Sequence, residues 1–171
     1  TTKATDCSGR DSECGVELLF VGQYGDLLKQ KTNVTYLYNQ LPVGVFEKTV
    51  EKKNAIFTGG KSAIDLWGVN LETRTLSVYE LKYKKNIMVG VLSELFFYLM
   101  ILNEACGKEK PWFTFDDKKS RNDGRGIDKL EQGKPFSEIR GFILADAMHP
   151  LIDSQVIKLF NEGLARIGNI K

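Results

Sequence analysis

The chain is poor in the residues that announce metal-bound or secreted proteins. It has one histidine and three cysteines in 171 residues. The cysteines, Cys7, Cys14 and Cys106, form no C-x-x-C pair, so neither a zinc site nor a disulfide framework is expected. A reduced, cytoplasmic setting is the plain expectation. A Cys7–Cys14 bridge stays open, because both residues lie in a polar stretch. No apolar run reaches the roughly 20 residues of a membrane helix. The longest, Ile87 to Leu102, is broken by Gly90, Ser93 and Glu94. The first residues carry no apolar signal core, and no membrane association is expected. Charge of one sign is also lacking. The formal net charge is +2, too small to point to nucleic acid without local clustering. No internal repeat or low-complexity segment is present.

What remains is an ordinary globular composition, 42% hydrophobic and 27% charged, long enough for one domain with a sizeable core. Residues 1–15 read as a flexible N-terminal segment and 16–171 as one domain. Apolar spacing predicts an amphipathic helix over Val16–Lys31, weakened by Gly22 and Gly25. Tyr36–Val50 reads as one or two strands punctuated by Pro42 and Gly44. Asn54–Thr58 reads as a further extended piece, with Gly59-Gly60 as a turn. Ala63–Val69 and Leu76–Tyr83 form an antiparallel hairpin. A buried helix is expected over Ile87–Cys106 and ends at Gly107. Trp112, Phe113 and Phe115 read as a short strand or aromatic anchor, and residues 116–135 as a mobile, mostly basic loop. Ile139–Ala145 is a last strand, followed by a helix capped by Asp153 or Ser154. Strands followed by a helix and a further strand predict an α/β fold, a central mixed β-sheet flanked by helices.

Residues 59–85 hold the chemistry. Here carboxylates and a lysine interrupt strand-like runs, and such groups are rarely buried without a partner. Alternation puts Leu76, Val78, Glu80 and Lys82 on one face, with Glu80 and Lys82 about 6.6 Å apart along the strand. Asp65 lies in the preceding strand. Two carboxylates, the Leu81 backbone carbonyl and a lysine can hold Mg²⁺ or Mn²⁺ and act on a phosphodiester, the ion neutralising charge and activating water. The plainer alternative is a structural Asp65–Lys82 ion pair.

Ile64-Asp65, followed after residues 66–79 by Glu80-Leu81-Lys82, resembles the PD-(D/E)xK signature of restriction-endonuclease-like nucleases, with Ile64 in place of the proline. The resemblance implies a restriction-endonuclease-like core of helix, three-strand meander, crossover helix and further strand. It implies that Asp65 and Glu80 bind the metal and that Lys82 serves catalysis, in a Mg²⁺-dependent nuclease acting on DNA. It also points to Glu94 in the following helix, to Glu17 in the first helix, and less naturally to Glu47. Lys84 and Lys85 lie just past the motif, and Lys118, Lys119, Arg121 and Arg125 cluster in the basic loop. Both groups are candidate phosphate contacts. A homodimer stays open.

Two other readings compete. A nuclease-like fold can bind nucleic acid or protein without cleaving. Separately, Ala55-Ile56-Phe57-Thr58-Gly59-Gly60-Lys61-Ser62 matches a relaxed phosphate-loop pattern, with Phe142-Ile143-Leu144-Ala145-Asp146 as its strand-plus-aspartate partner. A phosphate loop must open a helix. The Ile, Trp and Val of residues 63–69 favour a strand instead.

Overall fold

A computed structural model describes residues 12–84, 88–114 and 125–171. Helices α1 (Glu13–Val21) and α2 (Gly25–Thr32) lead into strands β1 (Tyr36–Phe46), β2 (Ala55–Asn70) and β3 (Thr75–Lys82). Helix α3 (Val91–Cys106), short helix α4 (Ile127–Gly133), strand β4 (Glu138–Ala145) and helix α5 (Ser154–Ala165) follow. The sheet order is β1-β2-β3-β4. The first three strands form an antiparallel meander, and β4 pairs parallel to β3. Ile170 adds a one-residue parallel bridge on Ile139. The expected α/β architecture, a mixed sheet flanked by helices, is therefore observed. No described helix is long and apolar enough to cross a membrane.

Local chemistry explains most boundaries. The Ser12 hydroxyl accepts the Gly15 N–H and caps α1, so the chain is already helical at Glu13, inside the segment expected to be flexible. The single helix expected over Val16–Lys31 is two, because the backbone leaves helical geometry at Gly22 and re-enters at Gly25. Asp153 accepts the Gln155 and Val156 N–H groups and starts α5. Asn70 accepts the Glu72 and Thr73 N–H groups and closes the β2–β3 turn.

Several expectations are corrected. Pro42 does not break β1, because β1 is an edge strand and can spare one N–H. Gly59-Gly60 is not a turn but part of β2. Val43 pairs with Ser62 and Val45 with Phe57, so residues 58–61 form a bulge opposite Gly44. Helix α3 begins at Val91 and leaves one side open, with Phe96 exposed. Trp112 is exposed and lies in no strand, while Phe115 falls outside the described residues. Helix α4 lies where no element was expected. Cys14 is disulfide-bonded, which departs from the plain expectation of reduced cysteines and agrees with the bridge left open for Cys14. Cys106 is a free, buried thiol.

Two cores lie on the two sheet faces. The larger packs Trp67, Val69, Leu76 and Val78 against Leu95, Tyr98, Leu99 and Leu102 of α3. The smaller packs Leu37, Leu66 and Tyr79 against Leu28, Phe20 and Val21 of the first two helices. Each such aliphatic side chain contributes about 1.5–3 kcal/mol on burial. Strand β3 is buried from Thr75 to Leu81, so polar groups near its end sit against the largest block of apolar surface.

Strict alternation fails at one place. Leu37 and Leu66 face the smaller core, yet Leu41, Val43 and Ile64 join the larger one. Counting by twos from Leu37 and from Leu66 would put Leu41, Val43 and Ile64 on the smaller-core side. Both strands therefore reverse phase between the in-register pairs Asn39↔Leu66 and Leu41↔Ile64. The residues between these pairs are Gln40 and Asp65. Gln40 has φ 54°, a left-handed conformation that costs a non-glycine residue about 1 kcal/mol.

Candidate active site

Glu80 and Lys82 continue the row Leu76, Val78 along β3, so they point toward the first turn of α3. The Lys82 ammonium donates to Glu80 Oε1 at 2.6 Å and lies 3.2 Å from Glu94 Oε2. Glu80 is 2% exposed. Its second oxygen, Oε2, is buried and has no hydrogen-bond partner among the described residues, an expensive state for a carboxylate. Glu94 is half-exposed and closes the group from the helix side.

Asp65 reaches the same place from β2. The β2–β3 ladder runs from Asn70↔Thr75 to Leu66↔Tyr79. Just beyond it the Asp65 carboxylate accepts the Leu81 N–H at 2.8 Å. Asp65 thus sits in the fork where β2 leaves β3, bonded to the residue between Glu80 and Lys82. The Leu81 carbonyl leaves the strand on the same edge as its N–H, toward Asp65.

Glu17 comes from α1. It is 3% exposed and accepts the Gln40 side-chain amide at 2.8 Å. Glu47 is not part of the group. Its N–H bonds to the Asn54 carbonyl at the tip of the β1–β2 hairpin, seven residues beyond Gln40 and on the order of 20 Å away at the rise of a strand. Lys84 follows β3 directly and lies 5.1 Å from the centre of the Tyr83 ring. Arg125 is exposed just before α4. Lys85, Lys118, Lys119 and Arg121 lie outside the described residues.

Burial sets the charge state of the group. It pushes the Glu80 carboxyl up to about 8, with the Asp65 charge adding to the push and the Lys82 bond opposing it. Burial also raises Asp65, against the Leu81 N–H and the Lys82 charge. Burial raises Glu17 to about 7, against the Gln40 bond, with the charge of Asp65 reinforcing it. Burial alone would lower Lys82, but the bonds and charges of Glu80 and Glu94 outweigh it and hold the ammonium above its ordinary value. Lys82 is therefore a fixed cation and not a ready base. The site holds more carboxylate than one ammonium can neutralise.

Two participants escaped the sequence reading. Tyr98 lies one turn after Glu94. Its hydroxyl donates to the Ala63 carbonyl at 3.1 Å and lies 2.7 Å from the Ser62 hydroxyl, clamping β2 to α3 beside Asp65. The i, i+4 spacing from Glu94 was its only signal. Gln40 was hidden in an extended run, where Asn39-Gln40 is the one amide pair among apolar neighbours.

Other candidates are set aside by geometry. Residues 55–70 are one strand, so no helix opens at Ser62 and the phosphate-loop cradle is not formed. His149 accepts the Leu151 N–H in a turn. A groove of about 350 Å³ between α3, β4 and α5 is lined by Leu95, Leu99, Phe160 and Leu164 and contains none of these carboxylates.

A resident cation must fit donors that are present. The fit is favoured by the buried, unpartnered Glu80 Oε2 and by carboxylates in excess of cations. Mg²⁺ needs only one or two carboxylates and keeps several waters. Among the described residues, no three Asp, Glu, His or Cys side chains stand as a group that encloses an ion by themselves. Compared with protein-family models, curated proteins and solved structures, the chain matches none.

Proposed function

We propose that the protein is a metal-dependent nuclease that hydrolyses DNA phosphodiesters at Asp65, Glu80 and Lys82, on a restriction-endonuclease-like core. The observation that carries this reading is the buried Glu80 carboxylate. One of its oxygens is held by Lys82 and the other has no partner among the described residues, while Asp65 is fastened to the intervening Leu81. Buried carboxylate oxygens are ordinarily satisfied, so the oxygen that no described side chain satisfies supports a cation at this position. The order of helix, three-strand meander, helix and parallel strand agrees with the core that the PD-(D/E)xK resemblance implies.

Asp65 and Glu80 would hold Mg²⁺ or Mn²⁺, with the Leu81 carbonyl on the same strand edge as a neutral donor. Such an ion lowers the pKa of bound water and neutralises phosphate charge. The chain's own part is electrostatic. Lys82, kept protonated by Glu80 and Glu94, faces the negative charge that builds on the phosphate oxygens as the water oxygen bonds to phosphorus and the ester oxygen departs. Glu94 fixes the Lys82 head from α3, and the Tyr98 clamp keeps β2 at its divergence from β3. Lys84, just past the motif, and Arg125 are candidate contacts to the DNA backbone.

The test is cleavage of plasmid and linear DNA with Mg²⁺, with Mn²⁺ and with chelator. Wild type is expected to cut only with metal. Glu80→Ala and Lys82→Ala are each expected to lose at least about 100-fold. Equal cutting by these variants would show that the site is wrongly assigned. A second reading, nucleic-acid binding without cleavage, is favoured by the lack of a three-ligand group among the described residues. It predicts DNA binding by wild type with no cleavage under any of these conditions.

A further inference from the structure

Gln40 combines three features that structural need alone does not explain. It adopts a left-handed backbone without being glycine, asparagine or aspartate. It lies opposite Asp65, where both strands reverse phase. Its amide is committed to one buried carboxylate, Glu17, at 2.8 Å. A phase reversal needs only a residue that tolerates positive φ, and glycine does that without strain. The long amide is superfluous to the backbone and has one described partner.

The geometry follows from the strands. Gln40 and Asp65 face each other across neighbouring strands about 5 Å apart. Asp65 turns into the fork toward Leu81. Gln40 reaches toward α1 and, together with its β1 neighbour Asn39, fixes the buried Glu17 carboxylate from the sheet. Such strain persists only where the surrounding structure holds it, and it clusters at functional sites.

We propose that Gln40 is a positioning residue that holds Glu17 beside Asp65 at the rim of the cation site, where Glu17 accepts hydrogen bonds from the ion's water shell. The proposal rests on the metal-dependent reading of the site and assigns Glu17 an outer role, in keeping with Mg²⁺ retaining several waters. Outer partners of this kind change metal affinity by about 10–100-fold when removed.

The experiment measures Mn²⁺ binding by calorimetry and thermal unfolding for wild type, Gln40→Gly and Gln40→Asn. Glycine and asparagine both accept positive φ, and asparagine keeps the amide but is one methylene too short to reach Glu17. Both variants relieve the backbone strain but lose the bond to the buried Glu17 carboxylate, so they are expected to melt within a few degrees of wild type and to bind Mn²⁺ about 10–100-fold more weakly. In a Glu17→Gln background, Gln40→Gly is expected to change Mn²⁺ affinity less than twofold, because the two residues act as one unit. Wild-type affinity in Gln40→Gly overturns the proposal while the metal reading stands. So does an additive loss in the double variant. Wild type that binds no Mn²⁺ overturns the metal reading and the proposal with it.

Discussion

Glu17→Gln tests the charge state of the site without requiring any substrate. Burial raises the Glu17 carboxyl from 4.5 to about 7. Between these values the folded protein keeps the proton that the unfolded chain has released. The folded state then binds more protons, so its stability falls as pH rises. The contribution is fully present below pH 4.5, fades through the window from 4.5 to 7, and is gone above it. At 1.36 kcal/mol per pK unit, the wild type loses about 3 kcal/mol between pH 4 and pH 8 through this one residue. Glutamine mimics the protonated acid, accepts the Gln40 amide and cannot ionise. The variant is therefore expected to match wild type near pH 5 and to exceed it by about 2–3 kcal/mol at pH 8, or about 5–10 °C in Tm for a chain of this length. Urea unfolding in chelator at both pH values reads the difference. Wild-type and variant curves that stay parallel from pH 5 to pH 8 would refute the claim that burial makes the folded protein hold the Glu17 proton.

Two further outcomes follow from packing. Gly126 has φ 77°, and a Cβ there would lie 2.3 Å from the Tyr38 ring, so Gly126→Ala is expected to destabilise by about 2–4 kcal/mol in urea unfolding. A loss below about 0.5 kcal/mol would mean that α4 is not seated against β1 in this way. Cys106 is fully buried and its thiol is pushed up to about 12 by that burial. It is expected to resist alkylation at pH 8 until the protein unfolds, and rapid labelling of the native protein by mass spectrometry would contradict the packing of α3.

Local patterns carried much of the fold. The Ala63–Val69 and Leu76–Tyr83 hairpin was legible because alternation needs only the strand itself. The same rule put Glu80 and Lys82 on one face, and they meet there. Asp153-Ser154 marked the start of α5 because a cap acts within three residues, and the structure puts the cap on Asp153. The errors share a different cause. Gly59-Gly60 looks like a turn in isolation, but pairing with β1 makes it a bulge. Gly22 looks like a weakness in one helix, but the chain divides there and packs both pieces on the sheet. Helix α4 is seven residues long, too short to show its period, and it is held by Ile127 and Leu130 in the core. Whether Cys14 is bridged depends on proximity, which spacing in an odd set of cysteines leaves open.

The sequence by itself determined the β2–β3 hairpin, the last strand and helix, the shared face of Glu80 and Lys82 on β3, and the candidate group of Asp65, Glu80 and Lys82, because these depend on short periods and on residues close along the chain. Tertiary structure alone decided which additional groups meet them. Glu94 joins Lys82 because α3 crosses the end of β3, whereas Glu47 is carried away along the β1–β2 hairpin. Glu17 and Gln40 join because two strands reverse phase together between two cores. That reversal trades a strained backbone for apolar burial on both faces, a balance set by the whole sheet and not by any local stretch.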